Sequence, residues 1–150
     1  EITEDSMISD PEHAVTLLAD LRAIGVRLSV DDFGTGYSSL SYLSRLPVDE
    51  VKIDKSFLAT GERTSGDGAD LVIARSIVDL ARNLGLDTVA EGVEDDSTWD
   101  RLAVLGCGLV QGFGLARPMP LEALQQWLLG YRSQRAATGP ERDAEHPVTV

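Results

Sequence analysis

Apolar positions along this chain follow two rhythms. Ala14, Leu17, Leu18, Leu21 and Ile24 stand three and four residues apart, the spacing of one buried helix face, with Asp10-Pro11 as cap and first helical position and Gly25 as stop. Ile73, Ile77, Leu80, Ala81 and Leu84 repeat that spacing and predict a second amphipathic helix over 71–84. Short apolar runs at 26–32, 51–54, 87–91 and 109–111 read as strands. Further helices are predicted from Ser38 or Ser39 to Leu46, ended by Pro47; through 99–105, capped by Asp96 or Ser97; and over 121–131 after Pro118 and Pro120. Residues 1–6 are a short acidic segment, and 60–70, rich in Gly, Ser and charge, read as a loop. Strand and helix alternate every ~20–30 residues, which predicts βα units, a parallel sheet and an α/β fold. From Arg132 onward apolar periodicity is lost, so 1–131 is the expected folded unit and 132–150 a disordered tail or linker.

The polar residues within this pattern gather at strand ends. The run L-S-V-D-D-F-G-T-G-Y-S-S-L at 28–40 ends a strand in two adjacent carboxylates, Asp31 and Asp32, followed by a turn on Gly34 and Gly36. Neighbouring strand residues point to opposite faces, so both Asp can serve one site only where the pleat breaks. The carboxyl end of a parallel strand is also where α/β proteins place their chemistry. Lys52 and Asp54, Glu91 with Glu94, and Gln111 occupy the other strand ends. In phase terms Ser29/Asp31, Lys52/Asp54, Val89/Glu91 and Leu109/Gln111 share one side, while Val30, Val51, Ile53, Ala90 and Val110 share the other. A solvated loop charge explains any one of these residues; four strand ends in register point to a site. Crowded carboxylates repel unless cations hold them together. The oxygen-rich set Glu1, Asp31, Asp32 and Glu91, with no histidine in it, suits Mg²⁺ or Mn²⁺ rather than Zn²⁺. His13 and His146 belong to no cluster and are expected at the surface.

Composition narrows the classes. The chain is 43% apolar and 25% charged, as ordinary globular domains are. With 13 Lys and Arg against 25 Asp and Glu, its net charge of −12 disfavours nucleic-acid polymers and anionic membranes. Cys107 alone makes no internal disulfide and reads as a buried small hydrophobe in a reducing compartment. No run approaches the ~20 apolar residues of a membrane span. The chain opens with Glu1 rather than Met, at what reads as a strand end, which gives it the look of a piece of something longer.

Taken together, E-I-T-E at Glu1–Glu4, D-D-F-G-T-G-Y-S-S-L at Asp31–Leu40, V-K-I-D at Val51–Asp54, A-E-G-V-E at Ala90–Glu94 and Q-G-F at Gln111–Phe113 strongly resemble the EAL-domain family of bacterial cyclic di-GMP phosphodiesterases. The resemblance covers Glu1–Tyr131 and corresponds to the C-terminal half of the family's modified TIM (β/α)8 barrel. It implies a cytoplasmic hydrolase, or one on the cytoplasmic side of a membrane sensor, that opens cyclic di-GMP to linear pGpG with two divalent cations. By the resemblance Glu1, Asp31, Asp32 and Glu91 would bind the metals, with Asp31 as a bridge. Lys52 would hold the attacking water or a phosphate oxygen, and Glu91 would also be the candidate general base. Gln111 would lie beside the metal–phosphate site. Glu4 would brace the 32–39 loop, which in the family connects metal binding with homodimer formation, while Asp54 and Glu94 would support the site from behind.

The family's naming E-A-L motif, the substrate-binding Arg after it and an Asn ligand on the next strand belong to a part of the domain that this sequence lacks. The lone chain is therefore expected to be inactive. Two readings from other classes compete: a non-catalytic module that binds cyclic di-GMP or a protein, separated by metal-dependent turnover, and an aldolase-like barrel with Lys52 as Schiff-base nucleophile. The carboxylates around Lys52 disfavour the latter, because they keep it protonated.

Overall fold

The computed structural model describes residues 1–3, 11–36, 40–58 and 67–138. Strands β1 (Ile2–Thr3), β2 (Ser29–Phe33), β3 (Glu50–Ile53), β4 (Asp87–Ala90) and β5 (Leu109–Val110) form one parallel sheet in that order. Parallel neighbours need crossovers. Among the described residues these include helices α1 (Pro11–Ala23), α2 (Leu40–Leu43), α3 (Asp67–Leu84) and α4 (Asp96–Leu105), while α5 (Leu121–Thr138) follows the last strand. A single turn of 3-10 helix, Lys55–Phe57, follows β3. No helix among the described residues is long and apolar enough to cross a membrane.

The expected strand phase holds. Val30 pairs with Val51, Ile53 with Ala90 and Ala90 with Val110, and Val30, Val51, Ile53 and Ala90 are fully buried. They share one core with Ala74, Ile77, Val78 and Ala81 of α3. Lys52 pairs in register with Val89, and Val89 with Leu109, on the opposite phase. Cys107 is buried as expected, and burial pushes its thiol pKa up, away from reactivity.

Several expectations need correction. Ile2–Thr3 forms the strand whose end the opening of the chain suggests, with bounds that the acidic segment does not mark. On α1 only Leu18 is buried, with Ala14, Val15 and Leu21 half-buried around it. At 100° per residue Leu17 and Ile24 lie off the edge of that stripe, and they are 50% and 76% exposed. Helix α3 starts at Asp67, inside the expected loop. Helix α5 runs to Thr138 rather than stopping at Tyr131, because no Gly or Pro interrupts 132–138 and Arg, Gln and Ala are good helix formers. The expected tail beyond it, with His146, lies outside the described residues, as do residues 60–66 and the expected helix start at Ser38 or Ser39. The polar residues Asp54, Glu91 and Gln111 each stand one position past their strand's last residue.

The cap of α4 is Asp95, not Asp96 or Ser97. Its backbone is extended, and its carboxylate accepts from Thr98 N and Thr98 Oγ1, both at 2.9 Å, and from Ser97 Oγ. These bonds hold the Asp95 pKa down to about 2. A depressed carboxylate pKa adds stability above the unfolded value near 4, and that stability is lost as pH falls through the folded one. Asp95→Ala should therefore lower the melting temperature by a few degrees at pH 7. The difference from the parent should shrink as melts are recorded from pH 4 towards pH 2, and Asp95→Asn should lose less.

Candidate functional site

The site begins with a fault in β2. Val30 pairs with Val51 and Phe33 with Ile53, so Asp31 and Asp32 together stand opposite the single residue Lys52. Two residues against one is a β-bulge, a device that re-aims side chains beside functional sites. Asp32 has φ +54, a left-handed backbone that costs an L-residue about 1–2 kcal/mol and that Asp tolerates better than most. Thr35 closes the turn by donating to the Asp32 carbonyl from its N–H at 3.2 Å and from Oγ1 at 2.8 Å. This is the break in the pleat that adjacent carboxylates require. Ligand oxygens of Asp31, Asp32 and Glu91 consequently lie within 4.8 Å of one another.

Lys52 sits beneath them on the middle strand, only 5% exposed. Its Nζ lies 3.1 Å from Glu1 Oε1, 3.2 Å from Asp31 Oδ1 and 2.5 Å from Glu91 Oε1. Asp31 and Glu91 belong to the strand on either side of β3 or to its end, and both lean inward onto the ammonium. Desolvation by itself would lower the Lys52 pKa, but hydrogen bonds to Glu91, Glu1 and Asp31 outweigh it and hold the pKa well above the ordinary lysine value. Lys52 is therefore an ammonium, not the neutral amine that a Schiff-base nucleophile needs. Its one positive charge against four carboxylates leaves the mouth negative. Donors that are all carboxylate oxygens, with no histidine or thiolate in the group, fit a hard divalent cation such as Mg²⁺ or Mn²⁺.

The remaining expected residues divide. Glu1 reaches the cluster through Lys52 but is not among the three whose oxygens converge. Asp54 does not pair with Lys52; it caps the Lys55–Phe57 turn, accepting from Ser56 N at 3.0 Å, and hydrogen bonding from the Ser56 side chain, with its backbone N–H, holds the Asp54 pKa down. Glu94 and Gln111 are exposed and line, with Glu91 and Asp54, a cleft of about 620 Å³ that runs towards α5. Glu4 lies outside the described residues.

The far wall of that cleft was not foreseen. It contains Phe113, Met119, Leu124 and Trp127, with Arg117 stacked 4.4 Å over the Phe113 ring and Trp127 stacked on Tyr131 at 4.8 Å. The four-residue step from Phe113 to Arg117, straight after Gln111, was the available signal. The tripeptide Glu122-Ala123-Leu124 in the first turn of α5 takes no part in the carboxylate cluster.

The family model for the EAL domain matches residues 1–118. The cyclic di-GMP phosphodiesterase NbdA of Pseudomonas aeruginosa is 45% identical over 136 residues, covering 91% of this chain and 17% of NbdA. The bifunctional diguanylate cyclase/cyclic di-GMP phosphodiesterase MucR of the same species is 48% identical over 124 residues, or 83% of this chain and 18% of MucR. The solved MucR phosphodiesterase, a c-di-GMP complex, superposes with TM-score 0.74 at 48% identity, over 81% of this chain and 53% of that one. BlrP1 of Klebsiella pneumoniae, solved as a manganese/cyclic di-GMP complex, gives TM-score 0.66 at 37% identity, over 77% and 29%. The chain thus spans less than a fifth of these curated relatives and about half of the solved MucR chain. Its parallel strands and helices are arranged as in these TIM-barrel-like domains. By sequence and by fold, the chain belongs to the EAL domain family.

Proposed function

We propose that this chain contributes the metal-binding part of a cyclic di-GMP phosphodiesterase that hydrolyses its substrate to linear pGpG. The observation that carries the reading is the convergence of Asp31, Asp32 and Glu91 over Lys52, at strand ends of a chain whose relatives are phosphodiesterases of that substrate. Asp31, Asp32, Glu91 and Glu1 would hold two divalent cations, Mg²⁺ or Mn²⁺. Bound there, the cations would offset the phosphodiester's charge, make a water nucleophilic near neutral pH and stabilise the departing 3′-oxygen.

The chain's own groups complete the hydrolysis. Water attacks phosphorus and the bond to the 3′-oxygen breaks, leaving a 5′-phosphate and a free 3′-hydroxyl. Glu91 takes the proton from the attacking water, and the 3′-oxygen acquires one from solvent. Lys52 remains protonated and donates a hydrogen bond to a phosphate oxygen or to the water, which weakens its hold on the carboxylates as the charges are shared out. Gln111 presents an amide to the phosphate, with Asp54 and Glu94 supporting the cleft from the same rim. Residues 1–131 would be the C-terminal part of the domain, forming a homodimer in the complete protein in which Glu4 braces the 32–39 loop. The binding-module reading differs only in turnover.

Calorimetric titration with Mn²⁺ tests the centre directly. Asp31→Asn should weaken binding at least ~10-fold, and in a domain supplied with the remaining EAL barrel it should cost several kcal/mol of transition-state stabilisation. Turnover within about threefold of the parent would overturn the assignment.

The five strands do not close a barrel by themselves, so purified Glu1–Val150 should form no pGpG. Adding the other half of an EAL domain in trans should restore pGpG formation that depends on Mg²⁺ or Mn²⁺ and stops with EDTA. A folded, metal-loaded complex that binds cyclic di-GMP without cleaving it would favour the binding module instead.

A further inference from the structure

We infer that the helical turn Lys55–Phe57 is a brace shared by the two loops that carry the carboxylates, and that Phe57 is the positioning residue through which it holds Asp32. The inference rests on the metal reading of that cluster.

A left-handed aspartate persists only where its surroundings hold it. On one side of Asp32, Phe33 is anchored in the core at 5% exposure. Gly34, next along, has φ +95, and a methyl built on it would lie 3.0 Å from Ile77 Cδ1 and 3.2 Å from Phe57 Cε2. The peptide after the metal-binding pair therefore rests on an aromatic edge and a methyl group, and even one added carbon would require one of those side chains to shift. Turning Asp32 back to a negative φ would move Gly34, and these two side chains set how far it can move in their direction.

The same turn meets the other loop from its opposite end. Gly92, the residue after Glu91, has φ +65, and a methyl there would come within 2.7 Å of Lys55 Cβ. One residue of the turn thus sets the approach of the Asp31–Asp32 loop, and another sets the approach of the Glu91 loop. The turn is itself tightly fixed. Asp54 Oδ1 accepts from Ser56 N at 3.0 Å, the Asp54 carbonyl from Phe57 N at 3.1 Å and the Lys55 carbonyl from Leu58 N at 3.0 Å, and Leu58 is buried. Because the turn follows β3 directly, it stands on the strand that carries Lys52. The spacing of the three ligands is set by close contacts on one capped turn rather than by side-chain choice alone.

The test compares three variants of the full chain, Phe57→Ala, Phe57→Leu and Leu102→Ala. Leu102 is 1% exposed in the core on α4 and serves as a control for destabilisation alone. Mn²⁺ affinity is measured by calorimetry, hydrogen exchange at the Thr35 amide without metal, and stability by thermal melting. Loss of a group that orients a ligand typically costs 10–100-fold in metal affinity, so Phe57→Ala should bind Mn²⁺ at least ~10-fold more weakly. Its Thr35 amide, which donates to the Asp32 carbonyl, should exchange faster. Phe57→Leu, which refills the core without the ring edge, should show the same two changes in smaller measure and decides the matter if Phe57→Ala does not fold. Leu102→Ala should melt lower and change neither. Unchanged Mn²⁺ affinity and Thr35 exchange in the Phe57 variants, or equal changes in Leu102→Ala, would overturn the brace. A parent chain that binds no Mn²⁺ would overturn the metal reading, while Thr35 exchange would still judge the brace separately.

Discussion

A buried ammonium is the constraint on which the site depends. Lys52 is nearly shut off from water, and a lone cation there would either lose its proton or oppose folding. Three carboxylates from three places in the chain, Glu1, Asp31 and Glu91, keep it charged. The dependence runs both ways. Without Lys52 the same carboxylates would face one another across a gap of a few ångströms with no counter-charge. The ion-pair cluster thus ties the residue before β1, the body of β2 and the end of β4 to β3.

The sheet explains why the ammonium has to lie in the middle. Neighbouring strands run ~4.8 Å apart, so carboxylates on strands that flank β3 start about twice that distance from each other. They come within 4.8 Å only by leaning over the strand between them. The bulge in β2 adds the third oxygen donor without adding a strand, since it turns Asp32 to the side that an unbroken pleat would have denied it. A sheet, one bulge and one lysine thereby assemble an oxygen-rich mouth from residues scattered over ninety positions of sequence.

Much of this was legible beforehand, because period-two phase is a strong constraint. That Val30 shares a face with Val51, and Lys52 with Val89, follows from alternation alone, and adjacent Asp31 and Asp32 can serve one site only where the pleat breaks. What was not legible depends on contacts between distant segments. The opening of the chain suggests a strand end, but the extent of the strand, Ile2–Thr3, is fixed only by its pairing with β2. The exposure of Leu17 and Ile24 reflects how α1 is rolled on its axis, which spacing leaves open within a residue or two. Asp95 rather than Asp96 caps α4 because only its backbone is extended at the point where Thr98 needs an acceptor. Asp54 was placed on the Lys52 side by phase, yet its carboxylate is spent on the next turn. The apolar wall of Phe113, Met119 and Trp127 comes from a loop and a helix that meet only in the folded chain.

The two glycine contacts at the rim bear on how this site can change over generations. Any base change that replaces glycine adds at least one carbon, which at Gly92 would lie 2.7 Å from Lys55 Cβ and at Gly34 would press on the Ile77 and Phe57 side chains at 3.0 and 3.2 Å. Both positions also hold backbones that other residues rarely adopt. The inner edge of the mouth therefore cannot drift by small steps, and variants that alter it would have to change the Lys55–Phe57 turn at the same time. The outer wall is pinned at Gly112 and Gly114, where an added carbon would run into the Val93 and Glu94 backbone, but side chains such as Phe113 and Arg117 that project from that loop are free to vary. Selection for a new ligand would find its raw material there, while the carboxylate end kept its shape.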